Sequence, residues 1–186
     1  MKPEGQDHDE TRNREETHNH EDHMATYNAN KTQKQEALRA AAEIVEAGGA
    51  VHWLAPRSKR PLKRGWSTAP RYSLADLEGR YVEGANIGVR LGAPSKTGAG
   101  YLHALDLDIR DPSKVGEAWA ALLALCPEAR SLPTVKSGSG GESRHIYFFA
   151  STPLQSRKLA KGEGWEIELC GTGRQVVLPP SIHPDS

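Results

Sequence analysis

The sequence has few of the features on which cross-linked or membrane-spanning proteins depend. Its 186 residues include two cysteines, Cys126 and Cys170, which provide neither a disulfide framework nor the ligand spacing of a zinc site. No segment approaches the roughly 20 consecutive apolar residues that a transmembrane helix requires, and the N-terminus has no apolar signal core. We therefore expect a protein that works in the reducing cytoplasm without a membrane partner.

The sequence also has no net charge, but its charges are unevenly distributed. Of 24 acidic and 24 basic residues, residues 1–30 contain eight acids and three bases, which leaves 16 acids and 21 bases in the rest of the chain. This mild positive excess permits a polyanionic ligand without requiring one. Hydrophobic residues make up 37% of the chain, which is enough for the core of one ordinary domain.

Large apolar residues are nearly missing from residues 1–29, which are rich in Glu, Asp, Asn, His and Thr. Such a segment cannot bury enough surface to offset its ordering entropy, so we predict a disordered acidic tail. Three of its histidines, His18, His20 and His23, lie close together in the sequence but have no visible scaffold and are interpreted as part of a solvated polar tract. We expect the folded domain to span residues 30–186, with Asn30 as the N-cap of its first helix.

Within that domain, predicted strands outnumber predicted helices. Periodic apolar residues indicate a helix that ends at Gly48-Gly49, a short helix capped by Ser73, and a helix over Pro112 to Leu125. Predicted strands cover residues 50–55, 86–91, 101–107, 134–136, 145–150, 165–169 and 175–178, and a flexible loop is expected at residues 96–100. Many strands with few helices favour an α+β domain whose sheet is largely antiparallel.

Paired carboxylates are the first candidate site. Asp106 and Asp108 lie two residues apart at a strand end, so they point to the same face of the sheet and can bind one divalent ion. Glu166 and Glu168 share a face of a later strand, and alternation alone does not choose between them as a third ligand. Acids at a strand end are also common as solvated loop residues, so the spacing does not decide the matter.

A glycine-rich loop is the second candidate, because glycines let backbone N–H groups form an anion-binding nest. It has neither the Gly-Lys-Ser/Thr ending of a Walker loop nor the dinucleotide fingerprint, and a glycine-rich hairpin is often only a turn. The candidate triphosphate contacts are Ser137, Gly138, Gly140, Gly141, Arg144 and His145.

Two further segments are rich in possible phosphate contacts. The loop from Lys59 and Arg60 to Trp66 could bind a nucleic-acid backbone or an incoming triphosphate, with the indole stacking on a base. An ordinary solvated loop explains the same pattern equally well. Arg174, which follows Gly173, is another possible phosphate or sugar contact.

In this order, the segments resemble the prim-pol domain, the N-terminal catalytic module of bifunctional DNA primase/polymerases in the archaeo-eukaryotic primase superfamily. The resemblance covers roughly residues 35 to 184. It depends on Asn86-Ile-Gly-Val-Arg90, on Asp106-Leu-Asp108, on the glycine loop with Arg144-His145, and on Gly171 to Pro184. It implies a primase-like (RRM-like) core with a mainly antiparallel sheet and flanking helices.

The resemblance also implies a function. Asp106, Asp108 and a third acid would hold two Mg²⁺ or Mn²⁺ ions for template-directed nucleotidyl transfer, and counting back from Pro179-Pro180 aligns Glu168 with the third acid. His145 would contact the triphosphate. The implied role is that of a DNA primase and polymerase in the replication of a plasmid, phage or other mobile element. Its partners would be template and primer DNA and an NTP or dNTP.

Two alternatives remain open at this point. A metal-dependent nuclease also requires clustered acids, and a non-catalytic module could bind nucleotide or single-stranded nucleic acid. The chain ends at Ser186, shortly after the last matching segment. We therefore expect a C-terminally truncated domain without a helicase module, and a helicase or other replication proteins as partners in the full-length system.

Overall fold

The structure is a computed structural model that describes residues 30–138 and 141–183. The predicted tail, residues 1–29, lies outside the described residues. The helices are α1 (30–46), α2 (Leu74–Gly79) and α3 (Val115–Leu125), with 3-10 turns at Pro112–Lys114 and Pro127–Arg130. The strands are β1 (Ala50–Leu54), β2 (Asn86–Arg90), β3 (Lys96–Thr97), β4 (Gly100–Ile109), β5 (Thr134–Lys136), β6 (Arg144–Ala150), β7 (Arg157–Gly162), β8 (Trp165–Cys170) and β9 (Gln175–Leu178).

The strands form two antiparallel sheets. A small sheet has the order β1-β2-β9, and a large sheet has the order β5-β6-β4-β8-β7, with β3 paired to the start of β4. This arrangement confirms the predicted α+β class and the mainly antiparallel pairing. The strand β4 lies at the centre of the large sheet, because its residues pair with β6 on one side and with β8 on the other.

The large sheet has one apolar face. Because side chains alternate along a strand, Leu105 and Leu107 of β4 point to the same side as their partners Ile146 and Ile167. That side packs against α3, whose Leu122 is fully buried in the same core. The opposite face of the sheet therefore carries the alternate residues of β4, β6 and β8.

The two faces of the small sheet are covered by different segments. The helix α1 packs on the first face, where its Ala37 and Ala41 lie in a core with Val51 and Trp53 of β1. The second face carries His52 and Arg90, and it is covered by the loop that follows β1. Trp66 of this loop stacks on the His52 ring at 5.1 Å between ring centroids. The loop that the sequence singled out as basic is thus attached to the small sheet.

Four local details differ from the sequence-based expectations. Residue 30 is already helical, so the expected N-cap at Asn30 lies inside α1. The expected flexible loop at residues 96–100 is a short hairpin between β3 and β4, and the expected helix start at Pro112 is a 3-10 turn. The strand β7 was not predicted because it is an edge strand with little apolar alternation. In contrast, Ser73 caps α2 as expected, in a reciprocal capping box with Asp76.

Candidate active site

Acidic residues occupy the face of the large sheet that points away from α3. Asp106 lies on β4 directly between His145 of β6 and Glu168 of β8. The next position on the same face pairs Asp108 with Glu166. Directly opposed residues of antiparallel strands have Cβ atoms about 4.5–5.5 Å apart, so strand pairing brings four carboxylates and an imidazole into one group.

This acidic group forms one side of a cleft with a volume of about 280 Å³. Lys59 reaches it from the loop after β1, and Ser137 reaches it from the glycine loop. An adjoining cavity of about 260 Å³ shares Asp106, His145 and both of these residues. Its other walls include apolar residues from β9 and from the segment that follows it, among them Val177 and Ile182. The cleft therefore lies where the two sheets meet, with an acidic part and a more apolar part.

Asp106 and His145 form a partly buried pair in the acidic group. The Asp106 Oδ1 and His145 Nε2 atoms lie 3.5 Å apart. Desolvation raises the pKa of Asp106, and the neighbouring charges of Asp108 and Glu168 raise it further, against the attraction of His145. Desolvation lowers the pKa of His145, and Lys59 lowers it further, whereas Asp106 acts in the opposite direction. The site thus concentrates negative charge where water is partly excluded.

The other carboxylates of the group bind cations at the rim of the cleft. Glu168 accepts a hydrogen bond from the Arg174 guanidinium at 2.6 Å, and Glu166 lies 2.9 Å from the Lys158 ammonium. Asp108 lies 3.5 Å from the guanidinium of Arg110. The cations of these pairs are more than half exposed, so water screens them and they hold the carboxylates only weakly.

Residues 41–186, most of the chain including every strand and the whole cleft, match the family described as the N-terminal domain of bifunctional DNA primase/polymerases. The chain belongs to this prim-pol family. No curated protein matches the chain. Membership confirms the resemblance seen in the sequence, and at the level of the family it indicates DNA primase/polymerase activity, with DNA and nucleotides as substrates. In the part of the prim-pol chain that the structure describes, no helix has both the length and the apolar character that crossing a membrane requires.

The donor atoms of this prim-pol site suit a divalent metal. Within residues 30–138 and 141–183, no three His, Cys, Asp or Glu side chains converge as a ready metal-binding group. However, the oxygens of Asp106, Asp108, Glu166 and Glu168 share one face, and oxygen is the ligand atom that Mg²⁺ and Mn²⁺ prefer. Burial is the main cause of the raised pKa of Asp106, and the charges of Asp108 and Glu168 raise it further, a repulsion that a cation would relieve. The residues present therefore fit such an ion.

The structure brings some of the sequence-predicted contacts into the cleft and leaves others outside it. Lys59, Ser137 and His145 line the acidic part, and Gly138 lines the adjoining cavity. Gly141 adopts a left-handed backbone conformation, with φ of 64°, at the end of the loop, as a glycine turn requires. Gly140 lies outside the described residues.

Three predicted phosphate contacts are placed differently from the expectation. Arg144 lies opposite Leu107, so it points to the α3 side of the sheet, where it donates to Glu142 at 2.6 Å. The exposed side chain of Arg60 does not line either part of the cleft. Arg174 contacts Glu168 at the rim. The physical reason for Arg144 is alternation, since neighbouring residues of one strand cannot both face the acids.

Sequence reasoning missed the contribution of Ser143. This serine is 4% exposed and lies beside Asp108 on the acidic face. Its Oγ accepts a hydrogen bond from the Ile109 backbone N–H at 2.8 Å and lies 3.5 Å from Asp108 Oδ1. It therefore fixes the end of β4 at the residue where the second aspartate is attached. Extending the alternation of β6 back by two residues from His145 would have identified it.

Proposed function

We propose that this chain is the catalytic domain of a DNA primase/polymerase that performs template-directed nucleotidyl transfer in the replication of a plasmid, phage or other mobile element. Asp106, Asp108 and Glu168 are proposed to hold two divalent ions. The observation that carries the proposal is the row of His145, Asp106 and Glu168 across three adjacent strands, with Asp108 on the same face, in a cleft that also contains Lys59.

In the proposed reaction, the 3′-hydroxyl of a primer or initiating nucleotide loses its proton to solvent, and its oxygen forms a bond to the α-phosphorus of the incoming triphosphate. The bond from that phosphorus to the bridging oxygen breaks, and pyrophosphate leaves with the electron pair. Two bound ions would supply charge stabilisation for the attacking and leaving oxygens. The chain contributes the positioning that makes most of the difference in phosphoryl transfer.

Each side of the cleft has a distinct part in this proposal. His145 and Lys59 donate hydrogen bonds to phosphate oxygens from β6 and from the loop after β1, and their presence in the same cleft as Asp106 supports this assignment. The hydroxyl of Ser137 and the backbone of Gly138 contact the triphosphate from the glycine loop. The apolar wall at Val177 and Ile182 excludes water from the sugar and base. In this arrangement the charged triphosphate lies against the polar part of the cleft, and the flat base lies against the apolar part.

Primer extension tests the proposal. On a primed DNA template with Mg²⁺ or Mn²⁺ and either NTPs or dNTPs, we expect extension by the wild-type chain and its loss, by at least about 10²-fold, in Asp106→Asn and Asp108→Asn. The matched control is Glu163→Gln, which neutralises an exposed acid in the turn between β7 and β8, outside the cleft. The metal assignment fails if the aspartate variants extend primers at the wild-type rate.

The third ligand can be tested with the two glutamates of β8. Both face the cleft, and the family resemblance favours Glu168, which lies beside Asp106. We expect Glu168→Gln to lose most of the extension activity, whereas Glu166→Gln retains most of it and shows a modest increase in the metal concentration required. The reverse order would transfer the ligand role to Glu166. Cleavage of DNA without added nucleotides, together with no extension under any condition, would instead indicate a nuclease.

A further inference from the structure

A second cavity lies away from the acidic group, at the small sheet. It has a volume of about 350 Å³ and is lined by three cationic side chains, Arg71, Arg90 and Lys96. The remaining walls come from residues 67–69 and 93–94. No acidic residue is part of this lining. The cavity therefore differs in charge from the acidic part of the catalytic cleft, and the proposed reaction does not use it.

Arg90 is the most informative residue of this cavity, because it is 4% exposed although it carries a charge. Its Nη1 donates to the carbonyl oxygens of Trp66 and Ala69, at 3.0 and 2.7 Å, while its buried Nε has no hydrogen-bond partner among the described residues. Desolvation lowers the pKa of this guanidinium, and the nearby charge of Arg71 lowers it further. Carbonyl oxygens satisfy hydrogen bonds but do not neutralise a buried charge.

The three cations have no acidic partner within residues 30–138 and 141–183. No carboxylate forms a salt bridge with Arg71, Arg90 or Lys96 in this range. The Arg71 guanidinium donates to the Gly48 carbonyl at 3.0 Å, and the Lys96 ammonium lies 5.8 Å from the centre of the Tyr101 ring. The hydrogen bonds to the carbonyls of the loop explain the position of Arg90 alone. They do not explain why two further cations lie at the same cavity, whereas a bound anion would explain all three.

The cation cavity is connected to the catalytic cleft through the sheet and the basic loop. Arg90 lies directly opposite Gln175 in the pairing of β2 with β9. The Gln175 side-chain amide donates to the Lys59 carbonyl at 2.7 Å, and Lys59 lines the acidic part of the cleft. The exposed side chains of Lys63 and Arg64 lie on the loop between Lys59 and the residues that Arg90 holds. The basic loop thus joins the cleft, at Lys59, to the cavity, at residues 67–69.

We propose that Arg71, Arg90 and Lys96 bind a backbone phosphate of the nucleic-acid strand that the catalytic cleft uses as template. The inference depends on the proposed function only in taking nucleic acid as the source of the phosphate. Arg90 provides a fixed buried charge, and the exposed Arg71 and Lys96 provide two further cations at the same cavity. Such a contact is independent of base sequence, and it positions the strand rather than reading it.

Fluorescence anisotropy with a labelled oligodeoxythymidylate, measured without nucleotides over a series of salt concentrations, tests this site. We expect Arg71→Ala with Lys96→Ala to weaken binding by about 5-fold, and the slope of log K against log salt to become less steep by about 0.7 for the loss of one single-strand phosphate contact. Arg71→Glu alone should weaken binding further, since it places an anion in the cavity. Arg71 and Lys96 are exposed, so an unchanged melting temperature is expected and shows that these variants fold.

The matched control removes two cations from the other face of the small sheet. Lys31 and Arg39 are exposed on α1, which packs on the face opposite to Arg90, and Lys31→Ala with Arg39→Ala should leave affinity and slope unchanged. Equal losses in the control and cavity variants would overturn the site, as would wild-type binding by the cavity variant.

Competition with inorganic tripolyphosphate distinguishes a backbone phosphate of nucleic acid from a free polyphosphate as the ligand of the cavity. If the cavity substitutions weaken tripolyphosphate binding but not DNA binding, the nucleic-acid assignment is wrong. If the wild-type chain fails to extend primers but the cavity variants still bind DNA more weakly than it does, the proposed function is rejected and the phosphate site is retained.

Discussion

Acidification should destabilise this fold through one buried histidine, His52. Its side chain is held on the second face of the small sheet between Trp66 and Gln175. The Gln175 amide nitrogen donates to the Lys59 carbonyl, so the amide oxygen faces His52 and accepts a hydrogen bond from its Nε2. The other ring nitrogen, Nδ1, is buried and has no partner among the described residues. A second proton would have to sit on that nitrogen, without an acceptor and near the charge of Arg90.

These contacts determine the size of the effect. Burial is the main cause that lowers the pKa of His52 from 6.5 to about 4, and the charge of Arg90 adds to it. Between these two pH values the unfolded chain binds the proton and the folded chain does not, so the free energy of unfolding falls as the pH falls. A difference of about 2.5 in pKa corresponds to about 3 kcal/mol, since each unit is worth about 1.4 kcal/mol. Above pH 6.5 and below about pH 4, His52 causes no further change in the free energy of unfolding as the pH changes.

Urea denaturation followed by tryptophan fluorescence measures this effect. The wild-type chain and His52→Gln are compared across the same pH range, because substitution removes the proton-binding group and the difference between the two curves isolates it from other buried groups such as His103. We expect the wild-type chain to lose about 3 kcal/mol more than the variant as the pH falls from 6.5 to about 4. Parallel curves would refute the reasoning, because they would mean that His52 accepts its second proton as readily in the folded chain as in the unfolded one.

Two further outcomes concern the large sheet. Leu122→Ala should lower the free energy of unfolding by about 2–5 kcal/mol in urea denaturation, since Leu122 is fully buried beneath β4, whereas Leu125→Ala, at a position 50% exposed, should cost less than about 1 kcal/mol. Equal losses of unfolding free energy in the two leucine variants would mean that Leu122 does not lie in the core. Ser143→Ala should cost about 1–3 kcal/mol because it leaves the buried Ile109 N–H unpaired, and it should slow primer extension by loosening the end of β4. Unchanged stability with slower extension would contradict the structural part of this role.

The elements closest to the acids were predictable from local patterns. Alternation along β4 was sufficient to place Asp106 and Asp108 on one face, and the apolar residues that alternate with them, Leu105, Leu107 and Ile109, fixed which face is buried. The strand β6 begins at Arg144, one residue earlier than expected. With Arg144 included in the strand, the same rule would have placed Arg144 and His145 on opposite faces of the sheet. The metal and triphosphate roles of these residues remain predictions.

Other features depend on contacts between distant parts of the chain and could not be read locally. The edge strand β7 carries Arg157, Lys158 and Lys161, and its backbone is held by β8 rather than by any apolar pattern of its own. The state of His52 depends on Gln175, which lies far away in the sequence. The cavity at Arg90 exists only because the loop after β1 folds back over the small sheet. None of these pairings leaves a periodic signal in the sequence.

The central position of β4 in the large sheet has a consequence for how the site can change over time. Asp106 pairs with β6 on one side and with β8 on the other, and Asp108 pairs with β8, so amide hydrogen exchange at these positions requires neighbouring strands to separate from β4. Lys59 and Ser137, two of the proposed phosphate contacts, come in contrast from the loop after β1 and from the glycine loop. Substitutions in these loops can alter which nucleotide or strand is accepted while the acids keep their spacing. Substrate preference and chemistry can therefore evolve separately in this domain.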